Sequence, residues 1–133
     1  MKIAVVDGMG GGMGAQIVQG LVKGIGEKAE IWALGTNAMA TSSMIKAGAN
    51  KGATGENAIK VSIKEVDIII GPLGIIMPNS MMGEITPFIS ETIASSKCRK
   101  ILIPVNQAHV ELVGYESKPL GELIKETIKI VLA

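Results

Sequence analysis

Aromatic residues are nearly missing from this 133-residue chain: one Trp, one Tyr and one Phe make up 2% of it. Cysteine occurs once, as Cys98, which excludes a disulfide framework and a multi-cysteine zinc site. Charge of either sign is not in excess, since thirteen basic residues face twelve acidic ones for a net +1. A strongly basic nucleic-acid binder and an acidic tail are both excluded. Long apolar runs are lacking too. The run Ile3–Val6 stops at Asp7, whereas a secretory segment needs about 7–15 apolar residues and a membrane helix about 20. The expectation is a cytoplasmic protein with no nucleic-acid and no membrane partner.

Glycine is what the chain has in abundance. Its 17 glycines amount to about 13%, against a usual level of roughly 7%. No G-X-Y period accompanies them, and five crowd between Gly8 and Gly14. The length fits one compact domain over residues 1–133, with about two-thirds of its unfolded surface buried. No internal repeat or linker interrupts it.

Strand-like and helix-like segments alternate along the chain. Ile3–Val6 is a β-branched run ended by Asp7-Gly8 and reads as a buried strand. Ile17, Val18, Leu21, Val22 and Ile25 recur at helical spacing, and Gly24 and Gly26 stop that helix. A second strand follows at 30–34, and Thr36 or Asn37 can cap a helix over 38–47. A weak strand near Gly52-Ala53 precedes a helix over Glu56–Ser62. Val66–Ile70 is the clearest strand, ended by Gly71-Pro72. Thr86 as cap and Pro87 at the first helical position predict a helix to about Ser96. A strand at Ile101–Val105, a further one at Val110–Val113 and a helix from about Lys118 complete the pattern. Apolar strands without polar alternation are buried on both faces. The predicted fold is therefore α/β: a three-layer, doubly wound, mostly parallel, Rossmann-like sheet of about five to six strands.

In such sheets ligands bind beyond the carboxyl ends of the strands. That places Asp7–Gly14, Gly35–Asn37, Gly52–Asn57, Gly71–Met82 and Asn106–His109 on one side. The first of these, Asp7-Gly8-Met9-Gly10-Gly11-Gly12-Met13-Gly14-Ala15, fits G-x-x-x-G-x-G at Gly8, Gly12 and Gly14. It also fits G-x-G-x-x-A at Gly10, Gly12 and Ala15. The first spacing resembles the opening of short-chain dehydrogenases and reductases, the second the general dinucleotide fingerprint. Glycine lets the backbone turn sharply and approach phosphate oxygens, while the next helix offers unpaired N–H donors and a partial positive charge. Gly8, Gly10, Gly11, Gly12, Met13 and Gly14 form the expected phosphate cradle. Gly35, Thr36 and Asn37 form the ribose side, with Gly71 and Pro72 on the neighbouring strand end. A tight turn without ligand is the competing reading.

The carboxylate that an NAD site carries about 20 residues on is missing from Leu34-Gly35-Thr36-Asn37-Ala38. This leaves NADP, NAD or another phosphorylated ligand open, and no Gly-Lys-Ser or Gly-Lys-Thr follows to make a Walker-type loop. Asp7 either touches the ligand or accepts backbone N–H groups of its own loop. No metal is expected, because no second oxygen ligand can be named. Catalytic candidates are few: Asp7, Glu56 at a helix start, and His109, the single histidine, beyond a strand end. Tyr115-Glu116-Ser117-Lys118 is one residue short of the Tyr-x-x-x-Lys pair of short-chain dehydrogenases and stands near the wrong helix. Cys98 reads as structural. The methionine-rich stretch Gly71–Ile85 is long for a strand-to-helix connection. It suggests a homodimer contact through Met77–Met82 and the following helix, or else a lid.

Val6–Gly14, Ala33–Ala49, Gly52–Ala58, Ile70–Pro87 and Ile101–Gln107 together resemble a family of short bacterial proteins known only as a domain of unknown function. The string Ala-Leu-Gly-Thr-Asn-Ala at 33–38 is its most specific part. The resemblance implies a small cytoplasmic bacterial protein and supplies no activity. Binding of a dinucleotide or nucleotide is the leading expectation. An enzyme acting on a small phosphorylated metabolite and a non-catalytic sensor or assembly subunit are the alternatives.

Overall fold

The computed structural model describes every residue except Asn106 and Ala108. Five strands, β1 (Lys2–Asp7), β2 (Glu30–Gly35), β3 (Lys51–Thr54), β4 (Ile68–Pro72) and β5 (Arg99–Ile103), form one sheet. Its order is β3-β2-β1-β4-β5, and every pairing between the strands is parallel. Helices α1 (Gly12–Ile25), α2 (Ala38–Lys46), α3 (Glu56–Ser62), α4 (Pro87–Ser95) and α5 (Leu120–Leu132) connect or follow them.

Residues alternate between two cores, as a sheet covered on both faces requires. Ile3 and Val5 face Ile17, Val18 and Leu21 of α1 and Ile124 of α5. Ala4 and Val6 face Ile59 of α3 and Ile89 and Ile93 of α4. The doubly wound, Rossmann-like α/β sheet is thus present, with helices on both sides and β1 at its centre. Because β1 pairs with both β2 and β4, the chain reverses its winding direction at β1, and a crevice opens there above the strand ends.

Three expectations shift. β4 begins two residues later than Val66, which is buried among the α3-side core instead of hydrogen-bonded in the sheet. β5 lies two residues earlier at both ends than the expected Ile101–Val105, because its register pairs Arg99 with Ile68 and Ile103 with Pro72. Hydropathy marks the buried centre of a strand, whereas ladder hydrogen bonds set its ends. The sixth strand at Val110–Val113 does not form. Val110 makes an isolated antiparallel bridge to Gln107, and Leu112 and Val113 stand exposed. With Gly114 at φ +84, the segment turns before it can pair along β5.

Candidate functional site

The loop after β1 is organised by Asp7. Its carboxylate accepts the N–H of Gly8 at 2.8 Å and that of Gly14 at 2.7 Å. Gly14 stands at the third helical position of α1, so Asp7 does the work of an N-cap side chain that Gly11, at the cap itself, lacks. Burial pushes the Asp7 carboxyl up, the Gly14 and Gly8 N–H groups oppose this, and the charge of Glu84 adds to it. Of the two roles open to Asp7, the structure displays the loop-structuring one.

Three glycines of the loop are demanded by the fold. Gly11 lies at φ +73, and a Cβ there would stand 2.7 Å from the Ala40 backbone. A Cβ on Gly14 would meet Met44 Sδ at 2.6 Å, and one on Gly8 would meet Thr36 Oγ1 at 2.6 Å. Gly10 and Gly12 differ. Their φ angles are ordinary and a Cβ on either would meet nothing within 4 Å. Beside them the N–H groups of Gly12 and Met13, at the first two helical positions, find no acceptor among the described residues. Such donors have no partner within their own helix.

A carboxylate from outside β2 stands beside the end of that strand. Glu84, in the long connection between β4 and α4, brings Oε1 to the Met9 N–H at 2.9 Å, the Thr36 hydroxyl at 2.6 Å and Asn37 Nδ2 at 2.8 Å. These donors hold its carboxyl below the usual range, Thr36 contributing most. Asn37 also caps α2 through the Ala40 N–H and donates to the Met9 carbonyl. Thr36 and Asn37 therefore do meet at the loop, but their polar groups are engaged by the protein itself. Sequence reasoning missed Glu84 because it lies 48 residues from Thr36. Its one signal was the conjunction of an overlong connection with a missing acid.

The other candidates scatter. Gly35 and Gly71 have packing reasons: a Cβ on Gly35 would strike Thr41, and one on Gly71 would stand 2.5 Å from the Val6 carbonyl oxygen. Pro72 is the buried last residue of β4. Glu56 is exposed at the start of α3, after the edge strand β3. His109 is exposed beyond the opposite edge strand β5. Each edge is two strands from β1, about 10 Å sideways, so the sheet does not bring these two residues together. Asn106, expected at the same strand end, lies outside the described residues. Cys98 stands at the other end of the sheet, donating to the carbonyls of Ile63 and Val66. In the methionine-rich stretch, Met82 is exposed, whereas Met81 is half-buried against the α3-side core, with Sδ above Gly8. Open clefts lie along β5 and α5 (about 350 Å³), between α3 and α4 (about 680 Å³) and between α1 and α5 (about 550 Å³). None of these three is lined by residues 7–14. Among the described residues no three His, Cys, Asp or Glu side chains are grouped to hold a metal, and no helix is long and apolar enough to cross a membrane.

A parallel sheet ordered 3-2-1-4-5, with helices on both faces, defines a Rossmann-like α/β domain. Within that class, the chain belongs to the family described as Domain of unknown function (DUF3842), whose model matches residues 2–133. No curated protein and no solved structure gives a significant match.

Proposed function

We propose that this domain binds a dinucleotide (NADP or NAD) or a related phosphorylated ligand at the start of α1. One observation carries the reading. Gly10 and Gly12 lack side chains that the fold has room for, and they flank the free N–H groups of Gly12 and Met13. A glycine at the first helical position costs helix stability relative to alanine, on the order of 1 kcal/mol in a helix interior. Close approach of a ligand phosphate to the backbone gives that cost a purpose. Binding is favoured over turnover because Glu56 and His109 flank the sheet at opposite edges and Asp7 is engaged in its loop.

The test is thermal denaturation against NAD, NADP, ADP and inorganic phosphate, with wild type and Gly12→Val. Wild type is expected to gain stability with at least one nucleotide. The variant should keep the unliganded melting temperature within a few degrees and lose the ligand-induced gain, since its side chain enters open space. A panel that moves neither protein defeats the reading.

A further inference from the structure

We propose that Glu84 is a displaceable internal anion, and that the Met77–Glu84 segment is the lid that carries it onto the glycine loop. This rests on the ligand reading above and names what controls access to that site.

The first support is the chemistry of the contact. A single carboxylate oxygen accepts hydrogen bonds from Met9 of the glycine loop and from Thr36 and Asn37 beyond β2. No lysine or arginine forms an ion pair with Glu84 among the described residues. One backbone N–H and two neutral side-chain donors hold this negative charge, and donors of that kind serve a phosphate oxygen equally well. Exchanging one anion for another there breaks no ion pair. The charge of Glu84, held at Met9, meanwhile opposes a phosphate arriving at the same loop.

The second support is the route of the chain. The segment follows β4 after one short helical turn at Leu73–Ile76, passes above Gly8 beyond β1 and reaches the residues after β2. A ligand spanning the switch point of such a sheet lies across the same strand ends. Met81 Sδ stands 2.9 Å from where a side chain on Gly8 would begin, and Glu84 Oε1 stands 3.1 Å from it. The segment therefore fills the space above Gly8, beside the open space at Gly10 and Gly12, and narrows the approach to it.

The third support is how the segment is hinged. The Asn79 N–H donates to the Ile85 carbonyl at 2.7 Å, and the Ile85 N–H to the Ser80 carbonyl at 3.2 Å. These bonds close a neck, and Ile85 beneath it is fully buried. Beyond the neck, Met81 and Met82 adopt φ +56 and Gly83 φ +91. Methionine rarely adopts that left-handed backbone, so the tip is held by its contacts and not by its own preference. Glu84 supplies three of those contacts.

The experiment compares full-length wild type, Glu84→Gln and Glu84→Ala in two measurements. Without ligand, amide exchange of Met9 should quicken by about tenfold or more in Glu84→Ala, with the buried amides of β1 unchanged. Unchanged exchange at Met9 would overturn the latch. In calorimetric titration with ADP and NAD, removal of the internal competitor should tighten binding by about tenfold, because apparent affinity scales with the open fraction. Glu84→Gln, which keeps the shape and loses the charge, should fall between. Binding by wild type that both variants leave unchanged or weaken overturns this inference alone, marking Glu84 as a fixed part of the loop or as a ligand contact. No binding by any of the three proteins overturns the ligand reading and the lid with it.

Discussion

Asp7 and Glu84 are two carboxylates in one loop with opposite circumstances. Asp7 is buried and satisfied by the N–H groups of Gly8 and Gly14. Glu84 is half-exposed and gathers donors from two segments. Removing the first exposes a structural debt: Asp7→Ala leaves the Gly14 N–H without its acceptor at the start of α1. That change should cost about 1–3 kcal/mol in urea denaturation, and Asp7→Asn, which retains one acceptor oxygen, should cost less. Equal midpoints for wild type and Asp7→Ala would show that α1 needs no such cap. The role of Asp7 was legible as one of two alternatives, since an Asp-Gly pair after a strand is a familiar turn. Glu84 was not legible, because its partners are brought to it only by a loop folding back over the sheet.

Elements were easier to read than contacts. The helix over Glu56–Ser62 and the Thr86 cap with Pro87 at the first helical position agree with the observed α3 and α4. They follow from local chemistry, a small-residue loop before a carboxylate and a hydroxyl that accepts the Ile89 N–H. The strand at Val110–Val113 failed because an apolar run needs a partner edge, and the bridge between Gln107 and Val110 turns this one away. Gly20 and Gly24 illustrate a subtler failure. Inside α1 they weaken the helix, yet a Cβ on Gly20 would meet Ile124 Cγ2 at 2.5 Å and one on Gly24 would meet Ile128 Cγ2 at 2.7 Å. They let α5 dock closely on α1. Gly20→Val should therefore destabilise the protein by about 1–3 kcal/mol through overpacking, and Ile124→Ala in the same chain should recover part of it. Additive losses in that double variant would reject the contact as the cause.

Across the whole molecule the two carboxylates pull stability in opposite directions with pH. Asp7 titrates above its ordinary 3.8 when folded, so acidification through that raised value favours the folded state, and the gain is complete below 3.8. Glu84 titrates below its ordinary 4.5. Its contribution is whole above 4.5 and is lost as pH falls through the depressed folded value. Urea midpoints taken from about pH 7 to about pH 3 should show an early gain that Asp7→Asn abolishes. A later loss should be smaller in Glu84→Gln. Parallel curves for wild type and both variants would contradict these assignments. The amino-acid sequence by itself determined the layers and the glycine loop, because β-branched runs, helical stripes, caps and turn glycines act through neighbours a few residues apart. Only the tertiary structure decided which glycines are there for packing, which are left facing open space, and which carboxylate covers the loop. Those depend on residues dozens of positions apart, and only a closed fold puts them within a hydrogen bond of one another.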